Sequence, residues 1–246
     1  DDDGGFVVDT ARGPVRARHL VLNLLPADAA RLLDVPLTAP WQPRQDDVDA
    51  AWGAVMLYAV VRAPAGADDA AHHIDVMLDA EQAPTDGHHA FISLAAADED
   101  RFDEDEDVGF GGGDLRTVTV STHVALDALT AGDTATAALV QTIQDRLRTA
   151  LTTALPGFTV LRTMPGSPRT FARYTGRRAG AVGGVPRRVG RPWLAGAFDD
   201  GRFVDGVTLV GDSLFPGQST LAVAVGGARA AHRLADTLLA APRRKG

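Results

Sequence analysis

Apolar residues recur in strand-like patterns through the middle of the chain, with turn residues between them. Four such runs follow one another without long helices between them, an order typical of an antiparallel or mixed sheet that forms its own lobe. A helical pattern then extends over 133–155 and stops at Pro156-Gly157, and we expect this helix to pack on the sheet. The four predicted strands are 52–62, 73–78, 90–94 and 115–121, and a further strand is predicted at 158–163.

The segments on either side of this lobe have the pattern of a parallel α/β domain. Residues 6–23 predict a hairpin that leads into a buried strand, and residues 207–210 predict a strand that is apolar on both faces. A short helix is predicted at 26–33 and a Pro-rich connection at 35–47. The chain therefore leaves one domain, builds a second and returns to the first. Because it opens directly into strand-like sequence without Met, we expect a fragment or the second half of a split protein.

The predicted strand at 207–210 continues into a turn and a helix of small residues that runs to about Leu239. In parallel sheets ligands bind beyond the carboxyl ends of strands, which is where Asp212 would lie. Its carboxylate can accept hydrogen bonds from sugar hydroxyls, and Ser219 or Thr220 can cap the helix. The N–H groups at the start of that helix suit an electron-rich acceptor. A βα connection without any ligand has the same pattern and is the alternative.

Composition narrows the classes of protein to be considered. The net charge of −8 argues against a nucleic-acid-binding surface, and the absence of cysteine excludes disulfides and thiolate metal sites. Apolar residues make up 45% of the chain, which is ordinary for a folded protein with a core. No run of about 20 apolar residues occurs, so the sequence predicts no membrane-spanning segment.

Histidine pairs and an acidic run offer weaker candidates for chemistry. The pairs His72-His73 and His88-His89 favour a structural role over a metal site, because neighbours on a strand point to opposite faces. The acidic run 98–107 is typical of a solvated loop more than of a cation or partner site. Gly-Gly-Gly at 111–113 lacks the lysine and the strand–helix context of a phosphate loop. The sequence therefore predicts no metal site.

The tetrapeptide at 211–214, Gly-Asp-Ser-Leu, spells the signature of the GDSL hydrolases, with Ser213 as the nucleophile. A serine nucleophile needs a general base and an acid that orients it. The hydrolase pattern places both in an Asp-x-x-His segment, whereas here His232 precedes Asp236. The order of these residues disfavours a hydrolase.

Residues 167–186 are a second informative segment. They combine a turn, a helical turn with two aromatic residues and four cations, and an irregular Gly-rich stretch. Irregular Gly-rich segments between domains commonly form the wall of a ligand cleft. A crossover between domains without any chemistry is the alternative.

Four segments carry a resemblance to a known family. They are Pro-Arg-Thr-Phe-x-Arg-Tyr-Thr-Gly-Arg at 168–177 with Gly183-Gly184, the strand–turn–helix at 207–227, residues 18–28, and Ser-Thr-His at 121–123. In order and approximate spacing they resemble the phytoene desaturase and carotenoid isomerase family of FAD-dependent oxidoreductases. The resemblance covers essentially the whole chain, but only the C-terminal half of a full-length member.

The resemblance implies an α/β fold that is the C-terminal part of a two-domain, Rossmann-like flavoprotein with an α+β substrate lobe. It implies FAD as the cofactor and an apolar polyene as the substrate. The reaction would be desaturation by hydride transfer to the flavin or flavin-dependent cis–trans isomerisation. The Gly-x-Gly-x-x-Gly turn of such proteins does not occur in this sequence. We therefore expect the chain alone to bind FAD weakly or not at all, and to need a partner that carries the N-terminal half.

The resemblance also implies roles for individual segments. Tyr174 would line the substrate cleft, and no catalytic acid or base is assigned. His123 follows the end of a predicted strand and is the histidine best placed to line a cleft, although a structural role is favoured for it. The implied segments are 1–25 for the returning strands of the FAD-binding domain, 26–165 for the substrate lobe, 166–202 for the crossover and 203–246 for the C-terminal FAD-binding unit. The implied cofactor contacts are Gly211, Asp212, Ser213, Gln218, Ser219, Thr220 and Leu221.

Family members load substrate from the bilayer, so the resemblance implies a cytoplasmic protein associated peripherally with the inner face of the membrane. Two other functions remain open. One is another amine-oxidase-like flavoprotein that acts on a different apolar substrate. The other is an inactive remnant, or a subunit that becomes active only with a partner carrying the Gly-rich half.

Overall fold

The middle of the chain folds on a long antiparallel sheet, and its two flanks meet in a smaller sheet. The computed structural model describes residues 5–39, 41–50, 52–97, 114–129, 133–186 and 201–240. The inserted unit is Ala50–Val182, and the flanking unit is Asp1–Asp49 together with Gly183–Gly246. The elements in chain order are β1 (Phe6–Val8), β2 (Val15–Ala17), β3 (Leu20–Leu22), α1 (Pro26–Leu33), α2 (Trp41–Asp49), β4 (Trp52–Arg62), β5 (His72–Met77), β6 (His89–Leu94), β7 (Leu115–Ala125), α3 (Asp133–Ala154), β8 (Thr159–Gly166), α4 (Pro168–Thr175), β9 (Arg202–Val204), β10 (Val207–Leu209) and α5 (Thr220–Ala240).

The sheet of the inserted unit has five strands in the order β5-β6-β7-β4-β8, and every neighbouring pair is antiparallel. Its central ribbon pairs β4 with β7 from Trp52 opposite Ala125 to Arg62 opposite Leu115. The predicted succession of strands is therefore confirmed. Strand β7 continues four residues beyond the predicted end at 121, so His123 lies inside the strand.

One face of this sheet packs against α3, as the apolar patterns predicted. Side chains on β4 alternate between buried and more exposed positions, with Val55, Leu57 and Val61 fully buried. They share one cluster with Ile143 and Leu147 of α3, which are also fully buried. Because each fully buried Leu or Ile contributes about 1.5–3 kcal/mol, this cluster is a main source of stability in the inserted unit.

The flanking unit contains a three-stranded sheet in the order β3-β10-β9. Strands β3 and β10 are parallel, with Leu20 opposite Val207 and Leu22 opposite Leu209, and β9 joins β10 antiparallel. Strands β1 and β2 form the predicted hairpin in a separate two-stranded sheet. The parallel pairing predicted for the flanking segments is confirmed.

Helix α2 forms where the sequence analysis predicted only a Pro-rich connection. Trp41, Gln45 and Val48 are buried and recur at helical spacing. Gln45 Oε1 accepts the N–H of Ala27 at 3.0 Å, and Gln45 Nε2 donates to Asp49 Oδ1 at 2.8 Å. A proline in the first turn of a helix is tolerated, because that turn's N–H groups have no partner inside the helix. The prediction of a connection throughout 35–47 was therefore wrong.

The two units divide the chain at different positions from those predicted. Helices α1 and α2 lie in the flanking unit, although 26–165 was assigned to the substrate lobe. Helix α4 lies in the inserted unit, although 166–202 was assigned to the crossover. The functional roles given to those segments stay predictions. Sheets and helices together make a mixed α/β fold, which is the fold class that the sequence predicted.

None of the helices in the described part of the chain combines the length and the apolar content that crossing a membrane requires.

Candidate functional site

The turn that follows β10 lies where two parallel strands end together. The N–H of Val210 donates to the carbonyl oxygen of Leu22 at 2.9 Å, which extends the β3–β10 pairing by one residue. Gly211 then takes φ = +108°, a backbone conformation that residues with a Cβ rarely adopt. A Cβ at Gly211 would also overlap Oδ1 of Asn23. Asp212 therefore follows a sharp turn at the carboxyl edge of this sheet, the edge where parallel sheets bind ligands.

The Gly-Gly pair at 183–184 packs directly on this turn. A Cβ at Gly184 would overlap the backbone of Asp212 and Ser213, and one at Gly183 would overlap the side-chain amide of Gln218. Gly183 has φ = +82°, a backbone conformation that favours glycine at this position as well. Two sequence motifs that lie about 30 residues apart thus meet backbone to backbone within the flanking unit.

Ser213 is buried, with 9% of its surface exposed. Its Oγ has no hydrogen-bond partner among the described residues, so none of them acts on it as a general base. A serine nucleophile needs a general base within hydrogen-bond reach, and the described residues place none at Ser213. A buried hydroxyl without a partner is also a group that a bound ligand would satisfy.

Ser219 caps α5. The sequence analysis had named Ser219 and Thr220 as the two candidates for this cap. The Oγ of Ser219 accepts the N–H of Ala222 at 3.2 Å, and its carbonyl oxygen accepts the N–H of Val223 at 3.0 Å. Helix geometry leaves the N–H groups of Thr220 and Leu221 without an acceptor inside the helix. Both residues are exposed, and the positive end of the helix dipole coincides with them.

The far side of the turn is fixed to the body of α5. The guanidinium of Arg229 lies 5.2 Å from the centre of the Phe215 ring, a cation–π distance. A Cβ at Gly226 would lie 3.4 Å from the Phe215 carbonyl oxygen, which is ordinary contact. Small residues on α5 therefore allow close packing of the helix on the turn that precedes it.

One histidine of the flanking unit lies beside the same strands. His19 Nε2 is 2.9 Å from Thr208 Oγ1, so it bonds to β10 and not to Ser213. Burial lowers the pKa of the His19 imidazole below its ordinary value of 6.5. Burial therefore favours the neutral ring more than in an exposed histidine.

The structure places the seven predicted cofactor contacts on one continuous turn and helix start, and the two predicted cleft residues in the other unit. Tyr174 is 76% exposed, with the Arg173 guanidinium 5.5 Å from its ring centre. His123 is an exposed residue of β7 that meets Trp52 edge-on, with ring centres 6.4 Å apart. Neither side chain lies inside a described cavity, so their role in substrate binding stays a prediction.

One histidine of each pair lies within hydrogen-bond distance of a nearby carboxylate. His72 Nε2 is 2.8 Å from Asp68 Oδ1, and His89 Nε2 is 2.9 Å from Asp75 Oδ1. The hydrogen bond with His72 holds the pKa of Asp68 below its ordinary value, with a smaller contribution from the N–H of Ala70. Within the described ranges no three such side chains cluster as metal ligands would. The acidic run 98–107 and the glycines at 111–113 lie outside the described residues.

Sequence reasoning missed a buried arginine in the inserted unit. Arg116 is 1% exposed and donates to the carbonyl oxygens of Asp68, Ala70 (3.2 Å) and Ala95 (2.8 Å). It holds the segment before β5 against the end of β6. The available signal was its register, because Arg116 shares the inward face of β7 with Val118 and Val120.

Comparison with known proteins finds partial similarity to named enzymes. No known family model matches the chain. It is 39% identical over 93 residues to prolycopene isomerase 1 and prolycopene isomerase 2 of an Oncidium hybrid cultivar, and 38% identical over 96 residues to the prolycopene isomerase of Daucus carota. These matches span 38–39% of this chain and only 15–16% of the relatives. All of these relatives are described as chloroplastic.

Proposed function

We propose that this chain is the C-terminal, flavin-binding part of a carotenoid isomerase that uses FAD. The main observation behind this proposal is that Gly183 and Gly184 pack closely against the turn at 211–218. The names of the relatives add support for isomerisation over desaturation. In this proposal the flanking unit belongs to a Rossmann-like domain whose Gly-x-Gly-x-x-Gly half is supplied elsewhere.

The residues of the turn fit such a cofactor. Three glycines, Gly183, Gly184 and Gly211, stand where side chains would overlap other groups of this chain, so its segments pack closely there and give the turn a fixed shape. Ser213 Oγ is a buried polar atom without a hydrogen-bond partner among the described residues, and a bound ligand would supply one. A turn of fixed shape that holds a buried polar atom without a partner suits the binding of a polar ligand group.

Each residue then has a defined task in holding the group. Asp212 accepts hydrogen bonds from ribityl hydroxyls, and the N–H groups of Thr220 and Leu221 donate to an electron-rich ring edge. Gln218 and Ser219 keep the turn in the shape that presents those donors. When bound, FAD would supply reversible electron transfer to the polyene, with no net oxidation in an isomerisation. The chain's own residues supply position and shielding from water.

Substitution of Asp212 provides the test. Asp205 is a matched control, because it lies exposed at the other end of β10, in the turn from β9. In the full protein we expect Asp212→Ala to lose most of the bound flavin and Asp205→Ala to keep it, measured as the ratio of absorbance near 450 and 280 nm (roughly, the flavin and protein bands). Equal flavin content in the two variants would remove Asp212 from the site.

The type of reaction has its own readout. Isomerisation leaves the mass of a polyene unchanged, whereas desaturation removes two hydrogens for each new double bond. We expect a cis polyene incubated with the flavin-loaded protein to yield a product of unchanged mass. A product lighter by two hydrogens would assign the protein to the desaturases.

The apolar polyene substrate, the partner half and peripheral attachment to a membrane belong to the same proposal. Co-sedimentation of the full protein with vesicles of neutral and anionic phospholipid tests the attachment. Recovery in the supernatant with both kinds of vesicle would count against it.

A further inference from the structure

The three-stranded sheet of the flanking unit has β3 at one edge. Leu20 donates its N–H to the carbonyl oxygen of Gly206 at 2.8 Å, and Leu22 accepts the N–H of Val210 at 2.9 Å, so both residues turn their backbone groups toward β10. Neighbouring residues of a strand direct these groups to opposite sides. The N–H and C=O of Val21 therefore point away from β10, and within the described ranges no strand pairs with them.

The sequence of β3 is unusual for an edge that faces water. Natural edge strands carry charged residues, proline or a bulge, which block pairing with a further strand. Strand β9, at the other edge, begins with the exposed Arg202 and pairs with a register shift between Val207 and Thr208. Strand β3 is Leu-Val-Leu in regular parallel register, and Val21 leaves 51% of its surface exposed. Parallel strands of this composition are ordinarily buried on both faces, inside a wider sheet.

Helix α5 of the same unit exposes an apolar face. Most of its residues are Ala, Val or Leu, yet none of those that the structure describes is buried. Val225, Ala228, Ala235 and Leu239 recur at helical spacing and are all exposed, with His232 as the polar residue among them. We call these five residues the α5 face. An apolar helical face is ordinarily packed against another layer of the fold.

We propose that the outer edge of β3 receives one further parallel strand, contributed by the Gly-rich half of the protein, and that the same half covers the α5 face. The N–H and C=O of Val21 pair with that strand, as those of Leu20 and Leu22 pair with β10. The strand is apolar on both faces, because it continues a sheet in which Val207 and Leu209 of β10 are buried. This inference rests on the proposed function for the existence of that half.

A second copy of the chain fits these surfaces less well. Twofold symmetry would pair two β3 strands antiparallel, whereas sheets that are parallel throughout are over-represented. A parallel strand also brings a crossover segment, usually a helix, which supplies apolar surface for the α5 face. Two β3 strands paired with each other would bring no such segment.

Amide hydrogen exchange of the full protein, resolved to single residues, tests the pairing at Val21. We expect its amide to exchange at least about a hundredfold more slowly than in an unstructured peptide, because a strand bond protects it, and faster exchange would overturn the inference. Flavin content is read on the same sample. Bound flavin with fast exchange at Val21 overturns the strand pairing alone, whereas slow exchange without flavin retains the pairing and contradicts the proposed FAD site. Slow exchange that is lost when a dimer is diluted to monomer would assign the edge to a second copy and overturn the inference.

Two substitutions of Val21 give a matched comparison. Val21→Pro removes only the N–H that points away from β10, and Val21→Thr keeps that N–H and the branched Cβ. In the full protein we expect Val21→Pro to lower Tm by at least about 5 °C and Val21→Thr by less than about 2 °C. Equal Tm values would overturn the pairing. Where Val21→Pro fails to fold, the exchange measurement on the unaltered protein decides.

A charge on α5 tests the second surface. Ala228→Asp places a carboxylate on the α5 face, and Thr237→Asp is the control, because Thr237 is exposed on the opposite side of the helix. In the full protein we expect Ala228→Asp to lower Tm by at least about 4 °C more than Thr237→Asp, since its carboxylate would be buried against apolar surface. Equal effects of the two substitutions would remove the α5 face from the proposed interface.

Discussion

The inserted and flanking units hold their shapes by different physical means. In the inserted unit, β4 and β7 are eleven residues long, and their inward side chains share a continuous apolar core with α3. In the flanking unit, the three strands of the sheet have three residues each, and the candidate site depends on glycines that let backbone segments touch. Removal of apolar volume should therefore damage the inserted unit most, whereas in the flanking unit the addition of a single methyl group at the turn should distort the candidate site.

The largest expected effect is the loss of core volume in the inserted unit. Leu57→Ala deletes a fully buried side chain of β4, and the resulting cavity should lower the free energy of unfolding by about 2–5 kcal/mol. Chemical denaturation measures this change. A loss below about 1 kcal/mol would mean that the sheet and α3 are less closely packed than the structure indicates.

A single methyl group at the glycine turn should have an intermediate effect on stability and a large effect on flavin. Gly184→Ala places a Cβ against the backbone of Asp212 and Ser213, so we expect a loss of about 1–3 kcal/mol and of most bound flavin in the full protein. Gly227→Ala is the control, because its Cβ meets nothing within 4 Å and alanine favours a helix. If both variants retain flavin equally, close backbone approach is not what shapes the site.

The smallest expected effect concerns the pH dependence of the flanking unit. Burial lowers the pKa of His19 in the folded state, so below about pH 6.5 the unfolded chain binds a proton that the folded chain resists. Stability should therefore fall as the pH drops from 6.5, until the lowered folded pKa is passed. His19→Gln should reduce this acid sensitivity, by no more than about 2 °C in Tm between pH 7 and 5. A greater acid sensitivity in the variant would contradict the assigned direction.

The sequence predicted the elements of the inserted unit well, because their apolar periodicity is long. The bounds of β4 were predicted to the residue, and α3 to within one residue. Helix α2 was missed because its signal is short, with three buried residues among prolines and acids and a glutamine that bonds to Ala27. Such a helix forms through tertiary contacts that local propensity does not reveal.

The candidate site was only partly predictable. The resemblance pointed to the turn at 211–221 and to Gly183-Gly184, but it did not say that they touch. Contacts of backbone with backbone leave no periodic pattern in a sequence, and the positive φ of Gly183 and Gly211 is visible only in the fold.

The visible spectrum of the purified protein, produced with and without the coding segment upstream of this chain, tests the central claim most directly. The account predicts an oxidised flavin spectrum when both segments are present and little or none from these 246 residues alone. Absence of flavin in both preparations would contradict the proposal that the turn at 211–221 is half of an FAD site. Tight flavin binding by the chain alone would contradict the requirement for a second, Gly-rich half.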